Sequence, residues 1–376
     1  MSWFNTEGIQ IAGIASAVPA HTVGEEENSQ KFGSEDVEKF IKNTGIKSLH
    51  RTTELQTAAD LGFVAAEKLF AELSVDKSEI GCLVLVTQSP DYRRPNTACV
   101  LQNRLGLPMN CACFDVNQGC AGFVYGHAIM KSMMAVSDMK YGLLITAETS
   151  SKISGDYSHA AMMFGDAGAA ILYSNAKILG GGGDNNSTGS RSADNLTTLG
   201  ADGKRYRAII VPAGGFRDMY PSRDKYTCSD GVARSKYELY MNGIAVFGFS
   251  IMEVNEYIKE FLAKTGTTID DYDVCAFHQA NYFILKQLAK RLSIPQEKLA
   301  VSLDRFGNTS SASIPLTLCD RFGEEHSGGV KHVLAAGFGV GLAWGVTAFD
   351  VDTDKIFPVI ETDDYFADGI IDMTRL

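Results

Sequence analysis

The chain has 376 residues, of which 45% are hydrophobic and 21% charged, and its formal net charge is -11. This length exceeds that of one compact core, so we expect either two domains or one large duplicated α/β unit. Because the nucleic-acid backbone is bound by clustered Lys and Arg, the acidic balance argues against a general nucleic-acid-binding protein.

The sequence predicts a cytoplasmic protein without a membrane span. No N-terminal segment has the pattern of a signal peptide, and no apolar run approaches the roughly 18 residues that a span needs. The eight cysteines are scattered without the framework of a small secreted domain, so we expect most to be reduced and buried. Cys111 and Cys113 have no second Cys pair or His cluster nearby, and no metal site is expected.

Strand-like and helix-like runs alternate along the chain. A helix is predicted by the spacing of apolar residues in "TAADLGFVAAEKLFAEL" (57–73). Continuous apolar runs are typical of strands that are covered on both faces, and the alternation favours a mostly parallel sheet with helices on its faces. The strand-like runs are "IQIAGIASAVP" (9–19), "CLVLVTQ" (82–88), "ACFDV" (112–116) and "YGLLITAE" (141–148).

The order of these runs is repeated in the second part of the chain, which suggests two copies of one unit. We therefore predict a first half over 1–178, an extended exposed loop over 179–206, a second half over 207–352 and an acidic surface tail over 353–376. The glycines after residue 179 lack the spacing and the Lys-Ser/Thr end of a phosphate-binding loop, so no phosphate cradle is expected there.

Cys120 lies in "DVNQGCAGFVYG" (115–126), between a strand-like run and a helix-like run. Its small neighbours let other atoms approach the sulfur, and a helix that begins at Cys120 would aim its free N–H groups at it. Such a position favours a thiolate nucleophile. A buried cysteine that only fills space is the alternative interpretation.

Two further segments carry candidate residues. His278 follows the apolar run of "DVCAFHQAN" (273–281), at the end of a strand where open α/β sheets place their sites. Asn308 lies in the turn of "DRFGNTSSASIPL" (304–316). A structural histidine and a turn or N-cap asparagine are the alternatives. The glycine-rich "AAGFGVGLAWG" (335–345) is either a tight turn or a source of N–H groups for an oxyanion.

Taken together, these motifs resemble the β-ketoacyl-acyl carrier protein synthase III family of the thiolase superfamily, over about residues 9–352. The resemblance implies an α/β thiolase-like fold with two pseudo-duplicated βαβαβ halves in five layers, α-β-α-β-α. It also implies an acyltransferase that condenses an acyl thioester, held on Cys120, with malonyl-acyl carrier protein and releases CO2. The product is a β-ketoacyl-acyl carrier protein, as in fatty acid or polyketide-like biosynthesis.

The resemblance also assigns roles to individual residues. Cys120 is the nucleophile, and His278 and Asn308 donate hydrogen bonds to the enolate. The backbone N–H groups of Cys120 and Val340 form the oxyanion hole, Phe338 lines the acyl pocket and Asn281 lies in the pantetheine region. No cofactor is implied, since coenzyme A or carrier-protein thioesters are substrates, and a homodimer is expected.

Three positions depart from the family pattern. In "KFIKNTGI", Phe40 and Asn43 stand where members carry an aromatic residue and an Arg around coenzyme A, so a ring remains but the stacked guanidinium does not. Arg94 replaces an apolar residue of the acyl pocket near the dimer interface. Either the pocket takes a short or polar acyl group, or Arg94 turns outward and pairs with an acid of the other subunit.

A further departure is Phe283, which replaces an Arg that contacts the carrier in the family. Basic side chains on the same helix could form the docking patch for an acidic carrier protein, although a solvated helix face is the alternative. The predicted docking residues are Lys286, Lys290 and Arg291.

Other functions remain open. A related acyltransferase would move the acyl group to an oxygen or nitrogen nucleophile, and the presence of Asn308 argues against it. A catalytically silent partner subunit would have lost Cys120, His278 or Asn308, and all three are present. A coenzyme-A thiolase or hydroxymethylglutaryl synthase would carry a catalytic acid or second cysteine that we cannot place. These proteins share one fold, which therefore does not distinguish them.

Overall fold

The structure is a computed structural model that describes residues 2–155, 159–179, 192–324 and 328–375. Most strands belong to two large sheets, and the others form short two-stranded ribbons. The strands are β1 Ser2–Asn5, β2 Ile9–Pro19, β3 Thr22–Val23, β4 Leu49–His50, β5 Ile80–Val86, β6 Ala112–Val116, β7 Tyr141–Glu148, β8 Ala167–Asn175, β9 Leu196–Ala201, β10 Ile209–Ile210, β11 Tyr226–Thr227, β12 Ala233–Arg234, β13 Tyr240–Met241, β14 Val274–Phe277, β15 Val330–Gly339, β16 Ala343–Asp352 and β17 Ile360–Thr362.

Helices connect most of these strands. A π-helical turn over Phe249–Glu253 joins α7 to α8. The α-helices are α1 Glu25–Phe32, α2 Ser34–Thr44, α3 Ala58–Leu73, α4 Thr97–Arg104, α5 Gly122–Ala135, α6 His159–Met163, α7 Gly243–Gly248, α8 Val254–Thr265, α9 Tyr282–Leu292, α10 Leu303–Phe306 and α11 Ser313–Phe322.

The two large sheets share one pattern of strand directions. The first has the order β17-β2-β8-β7-β5-β6 and the second β1-β9-β16-β15-β14. From β2 to β5 the successive pairs are antiparallel, antiparallel and parallel. From β9 to β14 the succession is the same. This agreement confirms the predicted duplication of one α/β unit.

The helices and sheets form five layers. Helices α3 and α4 cover the outer face of the first sheet, and α8 and α9 cover the outer face of the second. Helices α5 and α11 lie between the sheets and pack against both of them. The layer order α-β-α-β-α is the one expected for a thiolase-like fold.

Strand β5 shows why the sequence produces this arrangement. Leu83 and Leu85 face the outer core with α3, while Val84 and Val86 face the central core with α5. Successive side chains of a strand point to opposite faces. Since both faces are covered by helices, a run of consecutive apolar residues is what this strand needs.

Three segments lie elsewhere than the predicted boundaries imply. The prediction of an exposed loop over 179–206 is wrong for its later part, because β9 pairs with β16 inside the second sheet; residues 180–191 lie outside the described residues. Strand β1 belongs to the second sheet although it precedes the first. The tail after residue 352 is only partly superficial, since Ile356 is fully buried and β17 pairs with β2.

Among the described residues, no helix combines the length and the apolar character that crossing a membrane would require. All eight cysteines of the chain are free thiols, and five of them are buried: Cys82, Cys111, Cys120, Cys275 and Cys319.

Candidate active site

A cavity of about 940 Å³ lies where the two halves meet. The first half contributes Cys120, and the second contributes His278, Asn308 and Val340. The structure thus brings the three residues of the predicted catalytic set to one space. Cys120 and Asn308 lie 188 residues apart in the sequence, so only the fold brings them together.

Cys120 lies in the turn between β6 and α5 and is only 8% exposed. Helix α5 begins at Gly122, two residues later than predicted, and the Gly122 N–H donates to the Gly119 carbonyl at 2.6 Å. At the end of β15, a Cβ atom on Gly339 would lie 2.8 Å from the Cys120 sulfur. Glycine is therefore required for the backbone of β15 to approach the thiol this closely.

Burial raises the pKa of the Cys120 thiol, whereas hydrogen bonds from the backbone of Val340, from Ser310 and from the Cys120 backbone lower it. The Ser310 Oγ lies 3.8 Å from the sulfur. The expectation that the helix terminus lowers the pKa below its usual value is therefore wrong for the free thiol, because desolvation dominates. Backbone groups of Val340 and Cys120 act on the sulfur, so both lie beside the reacting atom, and their role as an oxyanion hole stays a prediction.

His278 follows β14 and is held on several sides. Its backbone N–H donates to the Ala336 carbonyl at 2.9 Å, and its Nδ1 lies 2.8 Å from the Ser313 Oγ. The ring packs edge-on against Phe338, with 5.6 Å between centroids. Burial lowers the pKa of His278 to about 3. The imidazole is therefore neutral at physiological pH and keeps one N–H donor.

Asn308 is fixed by its backbone and its side chain. Its N–H donates to the Met163 carbonyl at 2.8 Å, and its Oδ1 accepts the Ser310 N–H at 2.9 Å. The preceding Gly307 has a φ of 64°, a left-handed conformation that glycine adopts without strain. Because Oδ1 is engaged, the Nδ2 amino group is the end of the amide that can donate to a ligand.

Two features of the cavity were missed by sequence reasoning. Glu148, the last residue of β7, is buried and lines the cavity with Cys120. Its signal was a carboxyl group at the C-terminal end of the buried run "YGLLITAE". The second feature is an apolar wall without any motif, which includes Ile209, Val211, Leu239, Met241, Val246, Phe247 and Ile284.

Other predicted site residues also reach the cavity. Phe338 and Val340 line it near Cys120. Asn281 lines it too, and its Oδ1 caps α9 by accepting the Ile284 N–H at 2.8 Å. The residues expected to dock a carrier protein are all exposed and follow this cap along α9: Lys286, Lys290 and Arg291.

Three predicted residues are not at the cavity. Phe40 is buried in the core, and its ring stacks on His159 at 6.1 Å, so no face is available for a nucleotide base. Asn43 is exposed. Arg94 is exposed and does not line the cavity, whereas its neighbour Arg93 does and donates to the Gly214 carbonyl at 3.1 Å. Arg94 therefore does not line the cavity of its own chain, and the expectation that it shapes an acyl pocket near the dimer interface stays a prediction.

A group of acidic and imidazole side chains lies outside this cavity. The His332 Nδ1 is 2.7 Å from an Asp350 oxygen and 3.0 Å from an Asp194 oxygen. The His332 ring stacks on Tyr272 at 4.7 Å. These contacts connect β15 and β16 to the segment that precedes β9, which accounts for the group as a structural cluster. The expectation of a protein without a metal site stays a prediction.

Comparison with known proteins adds to this geometry. The sequence profile described as 3-oxoacyl-[acyl-carrier-protein (ACP)] synthase III matches residues 114–184, and its C-terminal counterpart matches residues 262–351. The β-ketoacyl-[acyl-carrier-protein] synthase III of Clostridium perfringens strain SM101 is 32% identical over 340 residues, which cover 90% of this chain and 98% of that protein. The chain belongs to the β-ketoacyl-acyl carrier protein synthase III family.

Further relatives agree with this membership. The synthase III of Xanthomonas oryzae pv. oryzae is 34% identical over 344 residues, or 89% of this chain and 96% of that protein. The crystal structure of a 3-oxoacyl-(acyl-carrier protein) synthase from Burkholderia xenovorans LB400 is similar, with a TM-score of 0.85, 32% identity and coverage of 96% of this chain and 99% of that chain. The synthase III family consists of transferases, so this chain is an enzyme of that class.

Proposed function

We propose that this synthase III family member catalyses the decarboxylative condensation of an acyl thioester with malonyl-acyl carrier protein. The observation that carries the proposal is one cavity that holds the Cys120 thiol together with two fixed neutral donors, His278 and Asn308. A thiol accepts and releases acyl groups, and neutral donors stabilise an enolate, so this set fits both half-reactions.

In the first half-reaction, the Cys120 sulfur attacks the carbonyl carbon of the acyl thioester. The tetrahedral oxyanion is stabilised by the backbone N–H groups of Cys120 and Val340. The bond from that carbon to the donor sulfur then breaks, and the proton of the Cys120 thiol leaves with the donor as its free thiol. Acyl-Cys120 remains.

In the second half-reaction, the malonyl thioester occupies the same cavity and loses CO2. The electron pair of the broken C–C bond forms an enolate, whose oxygen accepts hydrogen bonds from His278 and Asn308. These donors act on negative charge that the thioester oxygen lacks in the ground state and that develops as CO2 leaves. The enolate carbon attacks acyl-Cys120, a C–C bond forms, and Cys120 leaves as a thiolate that takes up one proton from solvent.

The position of Asn281 and helix α9 supports the use of thioesters that are bound to a carrier protein. Asn281 and the start of α9 border the route by which a pantetheine arm reaches Cys120. The lysines and arginine of α9 provide positive charge beside it for an acidic carrier, which supports docking there. Phe40 and Asn43 do not border the cavity, so adenine stacking on them is not part of the proposal.

The proposal includes a cytoplasmic homodimer that needs no cofactor. In the part of the chain that the structure describes, strand β6 is an edge of the six-stranded sheet and pairs on one side only, which favours pairing with a second copy. Arg94 is exposed beside this edge, where Asn96 donates to the Cys113 carbonyl, and an acid of the other subunit is its expected partner. Analytical ultracentrifugation tests the dimer, and a monomer would overturn this part of the proposal.

The proposed cytoplasmic location is supported by the cysteines, because free thiols are typical of proteins in a reducing compartment.

The experiment is a product assay with a panel of acyl-coenzyme A and acyl-carrier donors, beginning with acetyl-coenzyme A, and malonyl-carrier as the second substrate. We expect β-ketoacyl-carrier and CO2 in equal amounts with the wild type, and no β-ketoacyl-carrier with Cys120→Ala. Transfer of the acyl group to an oxygen or nitrogen acceptor without CO2 release would contradict condensation. Absence of any reaction across the panel would do so as well.

A further inference from the structure

Glu148 is a buried acid at the catalytic cavity for which the proposed mechanism has no role. It ends β7, is only 1% exposed and lines the same cavity as Cys120. A buried carboxyl group costs free energy that an apolar residue at the same position would not. Its presence beside the nucleophile therefore calls for a function.

The partners of Glu148 are neutral hydrogen-bond donors. Its Oε1 accepts the Gln88 N–H at 3.0 Å and, at 3.5 Å, the Ser311 hydroxyl. Its Oε2 accepts the Ser89 hydroxyl at 2.8 Å. Among the described residues, no Lys, Arg or His forms an ion pair with it. These contacts fix the position of the carboxyl group without neutralising a negative charge on it.

Cys120 is the charged group that acts on Glu148. Burial, the larger cause, and the Cys120 thiolate together raise the pKa of Glu148 to about 8, while Ser89, Gln88 and Ser311 oppose the shift. Ser311 directly follows Ser310, whose Oγ lies 3.8 Å from the sulfur. The carboxyl group and the thiol are therefore neighbours in one desolvated space.

Other ionisable groups on the packed elements are engaged elsewhere. Asp166 precedes β8, which pairs with β7, and it accepts the N–H groups of Thr52 and Ser151. His278 faces the cavity but is neutral, because burial lowers its pKa to about 3. Arg93 and Asp115 also line the cavity, but Arg93 donates to the Gly214 carbonyl and Asp115 accepts the N–H groups of Thr97 and Ala98. Among the described residues, no ion pair therefore compensates for a Glu148 carboxylate next to a Cys120 thiolate.

We propose that Glu148 is a positioning residue that stays protonated when Cys120 is a thiolate, so that the cavity never holds two adjacent negative charges. A negative charge on Glu148 disfavours ionisation of the Cys120 thiol. A negative charge on Cys120 likewise disfavours ionisation of Glu148. A neutral carboxyl group at Glu148 also exerts no electrostatic repulsion on the negatively charged enolate. This last consequence rests on the proposed function, but the link between Glu148 and Cys120 does not.

The test is the rate at which iodoacetamide alkylates Cys120 between about pH 6 and pH 10, in wild type and Glu148→Gln. Near pH 6.5 both carry a neutral side chain at 148, so we expect rates equal within about twofold. Near pH 9.5 the wild type carries the carboxylate, and we expect the variant to react about threefold faster or more. Glu361→Gln, an exposed acid of β17, is the matched control and should reproduce the wild-type profile.

Parallel profiles for wild type and Glu148→Gln at every pH would overturn the proposal and leave Glu148 a structural residue. If Glu148→Gln does not fold, Ser311→Ala replaces it. Loss of that donor raises the pKa of Glu148, so the inflection in the alkylation profile should move to higher pH, and an unmoved inflection overturns the proposal. Alkylation involves neither carrier nor malonyl group, so its outcome is independent of the product assay.

Discussion

The two halves of the molecule repeat one scaffold but contribute opposite chemistry to the cavity. The first half supplies groups that can become negatively charged, Cys120 and Glu148, and burial raises the pKa of both. The second half supplies His278 and Asn308, which remain neutral donors. A duplicated α/β unit can thus divide a reaction, with the nucleophile on one copy and the stabilisation of the enolate on the other.

The strongest way to break this division is to remove the nucleophile. Cys120→Ala leaves no group that can hold the acyl chain, and we expect the rate of condensation to fall by about 10³-fold or more. Steady-state formation of β-ketoacyl-carrier measures it. Cys99→Ala, which removes an exposed thiol, is the matched control and should retain the wild-type rate. Condensation by Cys120→Ala at a tenth of that rate would refute the assignment.

The contribution of the second half to enolate stabilisation is tested by Asn308→Ala. Loss of one donor to the enolate oxygen should lower the rate of CO2 release from malonyl-carrier by about 10²–10³-fold, while acylation of Cys120 continues. Asn43→Ala changes an exposed asparagine and should alter neither rate. A variant in which acylation and decarboxylation fall together would show that Asn308 serves the fold and not the enolate.

The neutral state of His278 in the second half can be tested through the pH dependence of the free energy of unfolding. The pKa of His278 is about 3 in the folded chain, whereas a solvated histidine has a pKa of 6.5, so the unfolded state binds more protons between these values. Folding stability is therefore lost as pH falls below about 6.5, and His278 contributes a loss of about 2 kcal/mol between pH 7 and pH 5. Urea unfolding of wild type and His278→Gln should differ by this amount, and an equal pH dependence would contradict a buried neutral imidazole.

The smallest expected effect concerns docking on the second half. Reversal of two exposed charges in Lys286→Glu/Lys290→Glu should raise the KM for malonyl-carrier about fivefold and leave acylation of Cys120 by acetyl-coenzyme A unchanged. Lys259→Glu/Lys264→Glu, two exposed positions of α8, changes the net charge by the same amount and is the control. An unchanged KM would identify these lysines as a solvated helix face.

Sequence patterns predicted the scaffold well because burial on both faces of a sheet leaves continuous apolar runs. The run around Leu83 to Val86 is an example, since each face packs on a different helix layer. Strand β9 was missed because it follows a Gly-, Ser- and Asn-rich stretch, and its pairing with β16 depends on residues about 150 positions away. Such long-range pairing is decided by tertiary structure and not by local composition.

The site was predictable only in part for the same reason. Cys120, His278 and Asn308 each lie in a short motif with a recognisable turn, and the fold brings them together. Glu148 had no motif beyond its place at a strand end. The sign of the pKa shift at Cys120 was wrong because local sequence suggests a helix terminus but does not report how completely the thiol is buried.

The proposed reaction depends above all on Cys120 carrying the acyl group that the enolate then takes. The decisive measurement is time-resolved intact-protein mass spectrometry after acylation with the best donor of the panel and removal of excess donor. We predict one acyl adduct, absent in Cys120→Ala, that disappears on addition of malonyl-carrier as β-ketoacyl-carrier forms in equal amount. An adduct that persists in the presence of malonyl-carrier, or product formed without its loss, would contradict a condensation through acyl-Cys120.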